Sequence, residues 1–192
     1  MKILVGLGNP GSEYEGTKHS IGFDFVSGVV SKEGGTFSFN KKFNAEIASV
    51  SFSGKKMIIA KPFTFVNNSG LAVKKIKLFY RVKLGDIIVA HDDLDIPLGE
   101  FKISFGKNSG GHRGVQSIID ALKTNKFYRV RIGTAGRKLQ AARNQKTLAK
   151  KKEAVGGFVL SGFSPAEKDE IKKVLKEAKS RLEEILANKN NK

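Results

Sequence analysis

Three histidines, His19, His91 and His112, are the only imidazoles in a chain of 192 residues that contains no cysteine. Disulfides, thiol nucleophiles, thiolate-bound zinc and iron–sulfur clusters are thereby excluded. Any imidazole chemistry near neutral pH falls to one of those three rings. Each has useful company. His91 opens the acidic run His91-Asp92-Asp93-Leu94-Asp95, His112 follows Gly110-Gly111 and precedes Arg113, and His19 comes shortly after Asn9. A carboxylate that orients an imidazole, with amides from Asn9 and Asn67 nearby, is a set able to activate a water and steady an oxyanion. The acidic run is also of the type that holds magnesium, since carboxylates are hard oxygen ligands. No Walker-type phosphate loop accompanies it, which favours one carboxylate orienting a histidine while the others cap turns or face solvent. Bland roles compete with these. His91 at a strand end reads as a half-buried structural ring, His112 as a loop hydrogen-bonder, and Asn67, in Asn67-Asn68-Ser69, as a helix N-cap.

The elements that must position these residues alternate between the two periods. Ile3-Leu4-Val5-Gly6-Leu7 is a continuous apolar run, the pattern of a strand buried on both faces, and it ends in the turn Gly8-Asn9-Pro10-Gly11. Ile21, Phe25, Val26, Val29 and Val30 recur at helical spacing up to Gly34-Gly35. From Phe37 to Lys61 the period drops to two, with Ser53-Gly54 between two apolar stretches, which predicts a hairpin. A helix is expected after Ser69, a buried strand over Asp86–Ala90, another over Glu100–Phe105, a helix over Val115–Leu122 and a strand over Phe127–Gly133. Ser164-Pro165-Ala166-Glu167 is a capping box with proline at the first helical position. It opens a stripe of Ile171, Val174, Leu175, Ala178, Leu182 and Ile185. Together these predict a single α/β domain over 1–192, a mixed twisted sheet flanked by helices, with a C-terminal amphipathic helix. Most polar clusters follow predicted strands, the edge where ligands bind in open α/β sheets.

Gly6-x-Gly8-x-x-Gly11 matches the dinucleotide fingerprint in letters only. The fingerprint's helix begins inside the motif, whereas Ser12-Glu13-Tyr14-Glu15-Gly16 shows no apolar periodicity. The glycines read better as a tight turn that lets backbone come close to a substrate or another strand.

Thirty-five Lys and Arg against eighteen Asp and Glu leave a formal charge of +17, which points to a polyanionic partner, nucleic acid or an acidic surface. Seven of these cations, with no acid among them, fall within 137–152, read as a mobile basic segment in contact with phosphates. No apolar run suits a membrane span, and the opening does not read as a signal peptide, so a soluble cytoplasmic protein is expected.

In order along the chain, GLGNPGSEYEGTKHSIGF, KPFTFVNNSG, VAHDDLDIPLG, SGGHRG, VRIGTAGR and GGFVLSGFSPAE resemble the separated blocks of the bacterial peptidyl-tRNA hydrolases. The resemblance implies hydrolysis of the ester between a peptide and the terminal ribose of tRNA, by an enzyme without cofactor or metal. It is implied to act as a monomer on peptidyl-tRNA, with no membrane or obligate protein partner. Carried over to this chain, His19 activates water and Asp92 orients it. Asn9 and Asn67 position substrate and water, with Tyr14, Phe65 and Arg113 as further substrate contacts. Lys102, Lys107 and Arg131 grip the acceptor stem, joined by Arg137, Lys138 and Arg143 from the basic segment, which is expected to close over the acceptor end. Four positions depart from the family pattern. Ser20 and Arg113 stand where the family usually has asparagine, Val66 where it has methionine, and Ser104 where a basic residue is common. Arg113 either carries the substrate contact with a longer charged donor or shifts affinity towards phosphates. Two other readings compete. One is a non-catalytic RNA-binding protein on the same scaffold, and the other is a nicotinamide-dependent oxidoreductase drawn from the glycine-rich opening.

Overall fold

The computed structural model describes residues 1–188. Seven strands form one sheet: β1 (Lys2–Gly6), β2 (Ser38–Asn40), β3 (Ala45–Phe52), β4 (Lys55–Pro62), β5 (Ile87–Pro97), β6 (Phe101–Phe105) and β7 (Tyr128–Ala135). Their spatial order is β2-β3-β4-β1-β5-β7-β6. The four central strands run parallel, and antiparallel strands close both edges, so the sheet is mixed. The predicted hairpin turns at Ser53-Gly54, both with positive φ, the two-residue geometry that matches strand twist. β2 extends it to three strands.

Two helix layers cover the sheet. α1 (Ile21–Lys32) and α6 (Pro165–Asn188) pack Phe25, Val26, Val29, Val174, Ala178 and Leu182 onto Leu4, Ile59, Ile88 and Val130. α2 (Ser69–Phe79) and α3 (Arg113–Leu122) pack Val73, Ile76, Val115 and Ile118 onto Ile3, Val5, Ile58 and Val89. Neighbouring residues of β1 therefore feed opposite cores, which is why its apolar run is unbroken. The α6 capping box forms: Ser164 N–H donates to Glu167 Oε2 at 2.7 Å and Glu167 N–H to Ser164 Oγ at 3.3 Å. Its buried stripe ends at Leu186 rather than Ile185.

The structure departs from the sequence expectation at one strand that matters for the site, and it supplies helices to a segment for which the sequence predicted no element. β5 does not stop at Ala90. It passes the end of β1, whose last partner is Ala90, and continues beside β7 through His91, Asp92 and Asp93. The segment 137–152, where apolar periodicity is weak, contains α4 (Arg137–Arg143) and the start of α5 (Leu148–Leu160), with Leu139 and Ala142 facing inward and Phe158 buried further along α5. No helix of the described residues is long and apolar enough to cross a membrane.

Candidate active site

β5 extends past the end of β1, and α1 packs against both strands. α1 sits close enough to do so because two glycines face each other: a Cβ on Gly6 would lie 2.2 Å from the Gly22 carbonyl oxygen, and one on Gly22 2.3 Å from that of Ala90. Gly8 in turn lies under the Phe23 ring. Gly6 and Gly8 of the apparent fingerprint thus serve strand–helix contact, and Gly11, with φ 113°, serves the turn. The turn ahead of α1, Lys18–Ser20, is thereby laid over the strand ends with His19 in it.

His19 Nδ1 lies 2.9 Å from Asp92 Oδ1, and His112 Nε2 reaches the same oxygen at 2.9 Å. The partners settle both tautomers. His112 caps α3, its Nδ1 accepting from the backbone N–H of Gly114 and Val115 at 3.1 and 3.3 Å, so its proton is on Nε2 and is donated to Asp92. Asp92, 2% exposed, can only accept, so His19 donates from Nδ1 and keeps Nε2 as a lone-pair base. The His19 side chain is 16% exposed. Burial opposes charge on His19, but the Asp92 carboxylate outweighs it by its charge and hydrogen bond. The pKa of His19 is therefore raised, although the Arg113 guanidinium works the other way. Burial would push the Asp92 carboxyl up, yet the two imidazoles hold it well below the carboxylate range.

His91 is fully buried rather than half-buried. Its Nδ1–H donates to the Asp92 carbonyl at 2.6 Å, its Nε2 has no hydrogen-bond partner among the described residues, and its ring lies edge-on to His112 with centroids 4.7 Å apart. Desolvation, followed by the neighbouring His112, drives its pKa well down. It is a neutral wedge behind the pair. His19, Asp92 and His112 are also the one group of metal-ligand types brought together among the described residues. Both ring N–H groups point at the shared oxygen, so a cation would have to displace two protons to bind there.

Asn9 and Asn67 come to the same edge by different means. Asn9 Oδ1 accepts the Val66 N–H at 2.9 Å, which turns its amide nitrogen away from that contact, and its own N–H donates to Ser20 Oγ at 3.3 Å. Asn67 lies in a single 3-10 turn, Val66–Asn68, where it is exposed and its side chain makes no hydrogen bond among the described residues. It is therefore not a cap. Asn68 occupies the cap position of α2, also without a side-chain bond. Just before it, Phe65 has φ 52° and ψ 153°, a conformation costly for any residue but glycine, and its ring is 51% exposed. Tyr14 meets it edge-on at 6.2 Å, so the two rings wall the same edge.

Arg113 is the first residue of α3, beside His112 and exposed. Lys102, Lys107, Arg137 and Lys138 are exposed. Lys102 stands opposite Arg131 in the β6–β7 ladder. Arg131 donates from Nε to Asp93 Oδ2 at 2.7 Å, and Arg143 from Nη2 to Asp95 Oδ1 at 2.8 Å. The acids following Asp92 thus hold the two arginines in place. Sequence reasoning missed these pairs, and it missed His112 as a direct partner of Asp92. The only trace of that role in the sequence is a histidine between a glycine pair and a helix start.

The model of the peptidyl-tRNA hydrolases matches residues 3–192 of this chain. The chain belongs to the peptidyl-tRNA hydrolase family. A peptidyl-tRNA hydrolase of Aquifex aeolicus is 42% identical over 178 residues, covering 93% of this chain and 86% of that protein. One from Rickettsia bellii is 40% identical over 167 residues, covering 87% and 83%. The crystal structure of the peptidyl-tRNA hydrolase from Acinetobacter baumannii superposes with a TM-score of 0.87 at 30% identity, over 99% of this chain and 90% of that one. The sheet, its flanking helices and the C-terminal helix are thus those of a peptidyl-tRNA hydrolase.

Proposed function

We propose that this chain hydrolyses the ester between a peptide and the terminal ribose of tRNA, with His19 as the base. Family membership makes it a peptidyl-tRNA hydrolase. The observation that supports this assignment of roles is the His19–Asp92 pair, a part-exposed imidazole held at Nδ1 by a buried carboxylate with Nε2 left open. Nε2 takes a proton from water as the oxygen attacks the ester carbonyl carbon. The tetrahedral oxyanion then collapses, the bond to the ribose oxygen breaks, and the imidazolium returns its proton to that oxygen. Free tRNA and a peptide carboxylic acid result, and the acid releases its proton to solvent to give the carboxylate. Asp92 favours the imidazolium while it lasts, and the Asn9 and Asn67 amides donate to the carbonyl and the water. An ester is a good electrophile, so this set suffices without metal or covalent intermediate.

Tyr14 and Phe65 offer ring faces and edges to the terminal nucleotide and peptide, and Arg113 a charged donor. Lys102, Lys107 and Arg131 meet the acceptor-stem phosphates, Arg131 through the nitrogens that Asp93 leaves free. Arg137, Lys138 and Arg143 extend that contact, and the α4–α5 region closes over the acceptor end. A duplex stem is read by shape and phosphates, which lets one site accept many tRNAs. The enzyme works as a monomer in the cytoplasm.

The test is cleavage of an N-blocked aminoacyl-tRNA in the presence of chelator, beside free aminoacyl-tRNA and His19→Ala. Cleavage of the blocked substrate alone, reduced at least about a hundredfold in the variant with tRNA binding kept, is the expected result. A variant that keeps its turnover removes His19 from the mechanism. Tight tRNA binding without any cleavage would instead point to the non-catalytic reading.

A further inference from the structure

The residue before His19 is a lysine buried like a core side chain, 1% exposed. Lys18 Nζ donates to the Gly162 carbonyl at 2.7 Å and to Ser161 Oγ at 3.2 Å. It stands 4.9 Å and 4.8 Å from the ring centroids of Phe158 and Phe163. The backbone follows the same path: Lys18 N–H donates to the Ser161 carbonyl at 3.1 Å, and Thr17 forms an isolated antiparallel bridge with Gly162. All of these contacts are to the junction where α5 ends and α6 begins.

Burying an ammonium is expensive, and no carboxylate lies within ion-pair distance of this one among the described residues. Desolvation weakens its hold on the proton, Glu167 acts through space to restore it, and Lys138 opposes that. A methionine would fill the same space at far less cost. The two oxygens and two ring faces around Nζ amount to a cradle built for a cation. Stability does not call for a cation here, but a fixed point next to a catalytic ring does. Asp92 sets one end of the His19 imidazole, and nothing in that contact holds the Lys18–Ser20 turn from which the ring projects.

We propose that Lys18 is a positioning residue for catalysis: its ammonium, locked into the α5–α6 junction, fixes the turn that carries His19 and so the direction in which the ring meets Asp92 and water. This rests on His19 as the base. One anchor then serves both the base and the helices that bear the basic segment.

The test compares Lys18→Met, which keeps the stem and removes the charge, with Lys18→Arg and His19→Ala. In Lys18→Met, kcat should fall at least about tenfold while KM for peptidyl-tRNA changes by less than about twofold, the signature of a misaimed group rather than weakened binding. Proton NMR should show the hydrogen-bonded Nδ1–H of His19, identified by its absence in His19→Ala, weakened or shifted in Lys18→Met. Lys18→Arg should recover most of both. A purely structural lysine would lower the melting temperature and leave that resonance in the remaining folded protein unchanged. Turnover within about twofold of the parent, or a loss of turnover with the His19 resonance intact, overturns the proposal. Should Lys18→Met fail to fold, Ser161→Ala with Phe163→Leu loosens the same cradle and must produce the same pair of changes in smaller measure. An active His19→Ala would refute the base assignment, and the NMR comparison would still decide whether Lys18 orients the ring.

Discussion

At the scale of single residues, the site is organised around one carboxylate oxygen that accepts from two imidazoles. The arrangement assigns different work to chemically equal rings. His112 has both nitrogens committed, to Asp92 and to the start of α3, whereas His19 has one committed and one open. Because the base must be neutral to act, activity falls as pH drops through the His19 pKa, which the Asp92 carboxylate has raised. The acid limb of kcat/KM therefore lies on the high side of the ordinary imidazole value. Arg113 lowers that pKa, so Arg113→Asn should move the acid limb to higher pH. Asp92→Asn removes the raising charge and should move it lower, with kcat down at least about a hundredfold because the ring loses its tautomer and orientation. A pH–rate profile of the three proteins checks both signs, and shifts in the same direction would show that the charges do not act on His19 as described.

At the scale of elements, His19 is delivered by the fit of α1 onto β1 and β5. That fit depends on a glycine pair at the contact, and the two helix glycines of α1 make opposite predictions. Gly22→Ala would press a Cβ to 2.3 Å from the Ala90 carbonyl oxygen and 2.5 Å from Leu7 backbone, so the helix must lift. The expected cost is about 1–3 kcal/mol, with turnover reduced beyond what the fall in melting temperature explains. Gly28 has nothing within 4 Å of its would-be Cβ, so Gly28→Ala should stabilise by about 0.5–1 kcal/mol and leave kcat alone. Thermal melts and kinetics on the two variants decide it. Equal effects from both would mean that helix propensity, not close approach, governs α1.

At the scale of the whole molecule, the +17 charge is distributed unevenly. All seven cations of 137–152 are exposed. Arg143 is tied to Asp95, and the others have no ion-pair partner among the described residues. α6 instead mixes signs along its length, as in the Arg181–Glu184 pair. Polyanion binding driven by counterion release should therefore depend on the α4–α5 side. Arg137→Ala with Lys138→Ala should reduce the log–log salt slope of tRNA binding by about 1 for each phosphate no longer neutralised, whereas Lys172→Ala on α6 should leave it unchanged. Equal slopes for all of these proteins would mean that the stretch 137–152 is only a solvated surface.

What could be read without coordinates was what repeats or clusters locally: the apolar run of β1, the Ser53-Gly54 turn, the capping box of α6, the unopposed cations, and the ordered blocks that carry the family resemblance. Local interactions encode these, so a window of residues suffices. Scarcity singled out the three histidines, and the family resemblance supplied the roles expected of His19, Asp92, Asn9 and Asn67. Tertiary structure alone decided that β5 outruns β1 and puts Asp92 inside a strand. It also put His112 on the same oxygen as His19, gave the later acids of the run to Arg131 and Arg143, and buried Lys18 between two rings from the far end of the chain. Each of these joins residues distant in sequence, and their geometry is set by packing and by the desolvation of charge, neither of which leaves a periodic trace.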